Sequence, residues 1–165
     1  GKYLMETAEQ TYEMSMINVL GVSNTVMPVI NRMAARGRGQ IAVMASVAGF
    51  APLAQSPSYA ATKAYVKHWG EALCTRMKPF GVEVTTICPG YVKSAMTDAN
   101  KFKMPFLMER DKAVDIMRRG LESGKARVAF PWQITWFLGM IGTLPSFIGT
   151  RLNGLKRKPK LPPIE

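Results

Sequence analysis

Apolar positions along this chain follow a helical period and an extended one in turn. From residue 7 to residue 36 they return every three or four positions: Tyr12, Met16, Val19, Val22, Val26, Val29 and Met33 would share one broad helical face. Thr7 and Gln10 have the spacing of a capping box at its start. Pro28 is expected to bend the helix without ending it, and the glycines of RGRGQ (36–40) to stop it. QIAVMAS (40–46) is short and apolar and comes after a glycine turn, so it reads as a buried strand. Residues 47–57, with one Gly and two Pro, read as a loop. Helical spacing returns over 58–78 and is stopped by PFG (79–81). The β-branched VEVTTIC (82–88) is a second strand, closed by Pro89 and Gly90. After an irregular, Met-rich 91–108, ERDKAVDIMRRGLESG (109–124) patterns as an amphipathic helix and RVAF (127–130) as a third strand. The last 35 residues are apolar, proline-broken helical segments that end in KRKPKLPPIE, expected to be extended.

Helices alternating with strands imply an α/β fold, a parallel sheet with crossover helices. Three strands are few for so much helix. The first would keep an unpaired inner edge, and its Ile41, Val43 and Met44 are too apolar for a managed edge. Something is missing beside it.

Composition narrows the chemistry. The 165 residues, 47% hydrophobic and 20% charged, suit a single globular domain. Cys74, Cys88 and the single histidine, His68, match no metal spacing, so no metal site is expected. With no carboxylate near His68 in sequence, a Ser-His-Asp hydrolase is also set aside; His68 is expected at the surface, and the twelve Met residues in the core. The net charge of +11 is uneven: residues 1–100 carry nine Lys/Arg against six Asp/Glu, and 101–165 carry thirteen against five. Such a tail reads either as a binder of anionic surfaces or as a solvated end. Basic and aromatic residues do not interleave in the way that stacking on bases requires, so nucleic acid is not an expected partner. Between Arg127 and Arg151 lie 23 uncharged residues, but Pro131, Gln133 and Pro145 argue against a membrane span. Two readings stay open for 131–160. One is a lid that packs Trp132, Trp136 and Phe137 inward; the other is a peripheral membrane contact with KRKPK (156–160) on anionic lipid.

Ligands of open α/β sheets bind beyond the carboxyl ends of the strands. Ser46 ends the first strand and Pro89-Gly90 the second; Tyr59 begins the helix between them, with Lys63 one turn on along the same face. A tyrosine of ordinary pKa, about 10, is a poor proton carrier near neutrality, and an ammonium one turn away favours its phenolate. Ser46 adds a hydroxyl able to hold a carbonyl or alcohol oxygen. Tyr-x-x-x-Lys alone is weak, because both residues are common on helices.

Asn18 in mid-helix, Ser46 at a strand end, Tyr59 and Lys63 in SYAATKAYV, and PGYVKS (89–94) together resemble the short-chain dehydrogenase/reductase family over residues 1–130. The resemblance implies a Rossmann-like doubly wound sheet and an NAD- or NADP-dependent interconversion of an alcohol and a carbonyl. Tyr59 would be the acid/base and also border the bound cofactor. Lys63 would lower its pKa and bond the nicotinamide ribose, and Ser46 would orient the reacting oxygen. Asn18 would hold a water linking Lys63 to solvent. Pro89, Gly90 and the Val92 backbone would face the nicotinamide. Ser94 stands where the family often has Thr, and Ala45 where it often has Ser. The larger departure is the family's turn T-G-x-x-x-G-x-G, which holds pyrophosphate and does not occur in this sequence, nor does the Asn-Asn-Ala-Gly turn. GKYLMET (1–7) resembles the stretch after that second turn, so the expectation is the C-terminal portion of a dehydrogenase with half a cofactor site. Residues 131–165 would form an appended apolar segment and basic tail. Two alternatives of function stand: an enzyme acting on a small carbonyl or alcohol, or a truncated, non-catalytic module. In the resembled family, helices placed like 7–36 and 58–78 commonly pair into homo-oligomers. The expected location is the cytoplasm, with membrane association if the second reading of the tail holds.

Overall fold

The computed structural model describes residues 6–98 and 103–153. Thr7 caps α1 (Ala8–Ser15) through the expected box: Gln10 N–H donates to Thr7 Oγ1 at 3.2 Å, and Thr7 N–H to Gln10 Oε1 at 2.9 Å. A π-helical turn, Met16–Gly21, then leads into α2 (Val22–Ala35), with Pro28 inside it. This corrects the single apolar face expected for 7–36. A π turn adds a residue to the helical repeat and so rotates α1 about the helix axis relative to α2. Val26 and Ile30 are buried, with Val22 and Met33 partly so, whereas Tyr12, Met16 and Val29 face outward.

β1 (Gly39–Met44), β2 (Val82–Pro89) and β3 (Arg127–Phe130) form a parallel sheet in the order β1-β2-β3, with Ile41 beside Val84 and Ile87 beside Val128. Among the described residues β1 pairs with β2 alone, so its other edge is open, as the apolar pattern implied. α2 and α3 (Pro57–Met77) cover one face of the sheet and close a core of Val26, Ile30, Ile41, Val43, Val66 and Val84. A short α4 (Ala95–Asp98) interrupts the irregular stretch after β2. On the opposite face of the sheet, α5 (Arg110–Glu122) packs Ala113 over Ile87, Val128 and Phe130. β2 is therefore covered on both sides and buried almost continuously. β1 is covered on one side, and Ala42 and Met44 are exposed on the other.

Glu71 of α3 takes Lys67 at 3.9 Å and Arg127 of β3 at 2.6 Å, and both cations lie over the Phe50 ring, fastening α3 to the far strand. α6 (Trp132–Thr143) and α7 (Ser146–Asn153) come after β3. Trp132, Trp136 and Phe137 are exposed, which corrects the inward-packed lid; Ile141 is the residue α6 buries. Helical spacing places residues on faces but does not say which apolar face finds a neighbour. Methionines divide likewise: Met77 is in the core, while Met16, Met27, Met44 and Met140 are exposed. His68 is exposed, as expected. No helix among the described residues is long and apolar enough to cross a membrane. KRKPKLPPIE and residues 1–5 lie outside the described residues.

Candidate active site

Ser46 sits just past β1 and caps a 3₁₀ turn, Val47–Phe50, its Oγ accepting from Ala48 N–H at 3.1 Å. The same hydroxyl donates to the Pro89 carbonyl at 3.3 Å, tying the carboxyl ends of β1 and β2 together. Gly49 lets this turn rest directly on α3. A Cβ there would lie 2.6 Å from the Lys63 carbonyl carbon and oxygen and 2.7 Å from Ala64 N, all backbone atoms.

Tyr59 rides in the first turn of α3, where Ser56 supplies no side-chain cap. Glu6 does that work from 52 residues away, its carboxylate accepting from Ser58 N–H at 2.8 Å and from Tyr59 N–H at 3.5 Å. A carboxylate suits a helix N-terminus, where N–H groups lack partners and the macrodipole is positive. The Thr11 and Ser58 hydroxyls meet at 2.9 Å beside it. Sequence reasoning missed Glu6, because caps are sought within a few residues of a helix start.

Lys63 points its Nζ to the Met44 carbonyl at 3.0 Å, at the end of β1, and the nitrogen lies 5.8 Å from the Tyr59 ring centroid. Burial pushes the Lys63 pKa below that of a free lysine. Asn18, within the π turn, donates to Thr62 Oγ1 at 3.2 Å, and that hydroxyl donates to the Tyr59 carbonyl at 2.8 Å. Asn18 thus braces the turn that carries Tyr59, through a threonine that sequence reasoning did not single out.

Gly90 N–H donates to the Phe130 carbonyl at 2.6 Å, and a Cβ on Gly90 would meet Pro131 Cδ at 2.8 Å, so only glycine fits between β2 and β3 here. Tyr91 is in electrostatic reach of Tyr59. Burial, and then that neighbour, push the Tyr91 phenol pKa up. Val92 bridges to Met108, and its carbonyl accepts from Thr97 Oγ1 at 3.1 Å. Ser94 Oγ accepts from Thr97 N–H at 3.4 Å, a local cap on α4. Ser46, Tyr59, Lys63, Pro89 and Gly90 therefore gather about the carboxyl rim of β1 and β2, while Val92 and Ser94 shape the loop beyond it. A phenol, an amine and a hydroxyl in that setting can exchange a proton with a substrate oxygen.

The short chain dehydrogenase family profile matches residues 2–104. The chain belongs to that family. An uncharacterized oxidoreductase of Myxococcus xanthus is 42% identical to this dehydrogenase-family chain over 129 residues, 78% of this chain and 51% of the relative. A very-long-chain 3-oxoacyl-CoA reductase of Ajellomyces capsulatus is 28% identical over 140 residues, 84% of this chain and 41% of the relative. Among solved structures, a short-chain dehydrogenase from Sphingobium yanoikuyae in complex with NADPH superposes with a TM-score of 0.72 at 24% identity, covering 88% of this chain and 61% of that one. A bulky-bulky ketone specific alcohol dehydrogenase from Comamonas testosteroni gives 0.69 at 23%, covering 88% and 59%. At these identities the two structures speak to the fold alone, a Rossmann-like α/β fold. The chain spans about half the length of the curated relatives it matches.

Proposed function

We propose that this short-chain dehydrogenase works as an NAD(P)-dependent oxidoreductase that interconverts an alcohol and a carbonyl, with Tyr59 as the acid/base. The observation that carries the reading is the Lys63 amine, 5.8 Å from the Tyr59 ring and fixed on the Met44 carbonyl two residues before Ser46. In its half-buried setting the Lys63 ammonium acts on neighbouring groups more strongly than it would in open water. Ser46 holds the substrate oxygen, and Tyr59 gives that oxygen its proton in reduction or takes it in oxidation. Asn18 supports Tyr59 through Thr62 and holds a water for proton exchange between Lys63 and solvent.

The residues present fit the nicotinamide end of such a cofactor. Lys63 has amine hydrogens beyond the one on Met44 to offer ribose hydroxyls, and the tight seat of Gly90 against Pro131 keeps the rim beside Pro89 free of side-chain bulk. Pro89, Gly90, Val92 and Ser94 line the carboxamide side. When bound, the cofactor supplies or accepts the hydride. No glycine-rich turn for pyrophosphate occurs in the sequence, so residues 1–130 contribute the catalytic part of the site. The 3-oxoacyl-CoA reductases among its relatives support a carbonyl substrate.

In a full-length enzyme, Tyr59→Phe lowers kcat by about 10²–10⁴-fold and leaves the cofactor Kd unchanged. Turnover near the unmodified rate rejects the assignment.

A second reading, that the chain serves as a dimerisation module, draws on the outward Tyr12, Ile17, Leu20 and Met27 of the 7–36 helix and Tyr65 of α3. Sedimentation velocity distinguishes it: Ile17→Glu converts a dimer to a monomer if these helices form the interface.

A further inference from the structure

β3 ends the sheet with its outer edge bare. Among the described residues it pairs with β2, and no strand lies beyond it. The ladder to β2 uses alternate residues of this stretch: Thr86 N–H donates to the Ala126 carbonyl at 2.9 Å, and Gly90 N–H to the Phe130 carbonyl at 2.6 Å. In a parallel ladder the residues between turn their N–H and C=O groups the other way. Arg127 and Ala129 therefore present theirs outward, and both line a cavity of about 330 Å³ between β3 and α5. Gly120 lets α5 come down onto the strand, since a Cβ there would collide with Val128 Cγ2. Val128 and the half-buried Ile116 give the cavity an apolar floor.

The charge around that edge has one sign. Arg119 and Lys125 line the cavity with Arg127, and no carboxylate does. Arg127 is already engaged, its guanidinium held by Glu71 and laid over Phe50. Arg119 uses its Nε on the Asp115 carbonyl at 3.3 Å. Neither Arg119 nor Lys125 has an ion pair among the described residues, and both are exposed. The neighbouring Asp115 and Glu122 pair with Arg118 instead. The helix macrodipole accounts for Arg119 in the last turn of α5, but Lys125 lies beyond that turn.

Two features select the occupant. Outward N–H and C=O groups alternating at strand spacing match another extended main chain, whereas an inorganic anion would meet the carbonyls as well as the amides. The two unpaired cations match carboxylates carried by that chain. A second copy of β3 would bring its own Lys125 and Arg127 to a cavity without counter-charge, and like charges on neighbouring strands destabilise the pair. The four residues of β3 run about 13 Å, so a short segment covers the edge.

We propose that the outer edge of β3, flanked by Arg119 and Lys125, docks an acidic extended segment of a partner protein by strand addition. Docking uses none of Asn18, Ser46, Tyr59 and Lys63, so its failure and the failure of the catalytic reading are separate results.

The probe is a capped, labelled heptapeptide of alternating Glu and Val. It is added to the 165-residue chain at about 0.01 M ionic strength, where charges act over about 30 Å. Fluorescence anisotropy follows binding, and NMR hydrogen exchange follows the Arg127 and Ala129 amides. The peptide binds, and both amides gain about tenfold or more in protection. Arg119→Glu/Lys125→Glu raises its Kd by about tenfold or more with an unchanged far-UV circular dichroism spectrum. The same peptide N-methylated at alternate residues keeps its charges, loses its strand hydrogen bonds and does not bind. No binding of the parent peptide overturns the proposal. So does equal binding of the N-methylated peptide, since charge alone would then be acting, or equal binding of a Lys/Val peptide or to the double variant. Protection of the two amides that grows with protein concentration in the absence of peptide gives the edge to a second copy. Oligothymidylate protecting the same amides gives the groove to nucleic acid; either overturns it.

Discussion

Gly49 is where the rim of the candidate site depends most directly on one missing atom group. A Cβ built there lies 2.6 Å from the Lys63 carbonyl carbon and oxygen. Carbon atoms are comfortable at about 3.5 Å, so in Gly49→Ala the turn and α3 must part by roughly 0.9 Å. Backbone lies on both sides of the contact, and no flexible side chain can swing away. Overpacking of this kind costs about 1–3 kcal/mol. The displacement acts on the groups that matter, because the turn is capped by Ser46 and the facing backbone belongs to Lys63. Urea denaturation of Gly49→Ala is expected to show a stability loss of about 2 kcal/mol with an unchanged m-value. Gly139→Ala is the control: its nearest neighbour stands at 3.8 Å, an ordinary contact, so the helix gains about 0.5–1 kcal/mol from alanine. In a full-length enzyme, a shift of about 1 Å at Ser46 costs about 10²-fold in kcat. Gly49→Ala and Gly139→Ala moving stability in the same direction would refute the reasoning.

Glu6→Gln keeps one of the two acceptor oxygens and removes the charge at the start of α3. Denaturant titration should register a loss of about 1 kcal/mol, and a difference below experimental error would show that the Glu6 charge contributes nothing to the cap. Thr85 Oγ1 is buried with no hydrogen-bond partner among the described residues, so Thr85→Val should stabilise by about 1 kcal/mol; destabilisation would show that the hydroxyl has a partner. Cys88 is fully buried, and desolvation pushes its thiol from 9.0 to about 11, with Arg127 opposing. The unfolded thiol therefore loses its proton first. Stability held below pH 9.0 declines as the pH rises toward about 11, by up to about 2–3 kcal/mol, and Cys88→Ala flattens that slope. An equal slope in both proteins would assign it to other groups.

Local chemistry made much of this protein legible. RVAF, expected as a strand over 127–130, is one; VEVTTIC, expected over 82–88, extends by one residue. Both are β-branched or apolar runs bounded by glycine, proline or charge, and such limits act within a few residues of themselves. The same holds for the Thr7–Gln10 box and for the one-turn spacing of Tyr59 and Lys63. The open edge of β1 was legible too, since helix-strand alternation and three apolar strands allow few sheet orders.

What lay beyond the sequence needed the third dimension. The π turn around Asn18 breaks the constant period that assigns residues to faces, so Tyr12 and Met16 could not be placed outward from spacing. Glu6 reaches the start of α3 across 52 residues, and Asn18 finds Thr62 across 44. Nothing near either residue in sequence announces its partner. The amphipathic rule failed likewise at α6, where both faces are apolar and only packing decides which one is covered. Sequence by itself indicated most of the helices and strands, their order and the candidate residues of the site, because backbone preference and side-chain chemistry are local properties. Tertiary structure decided which residues brace the site and which stand outward, because contacts between distant segments exist only once the chain has brought them together.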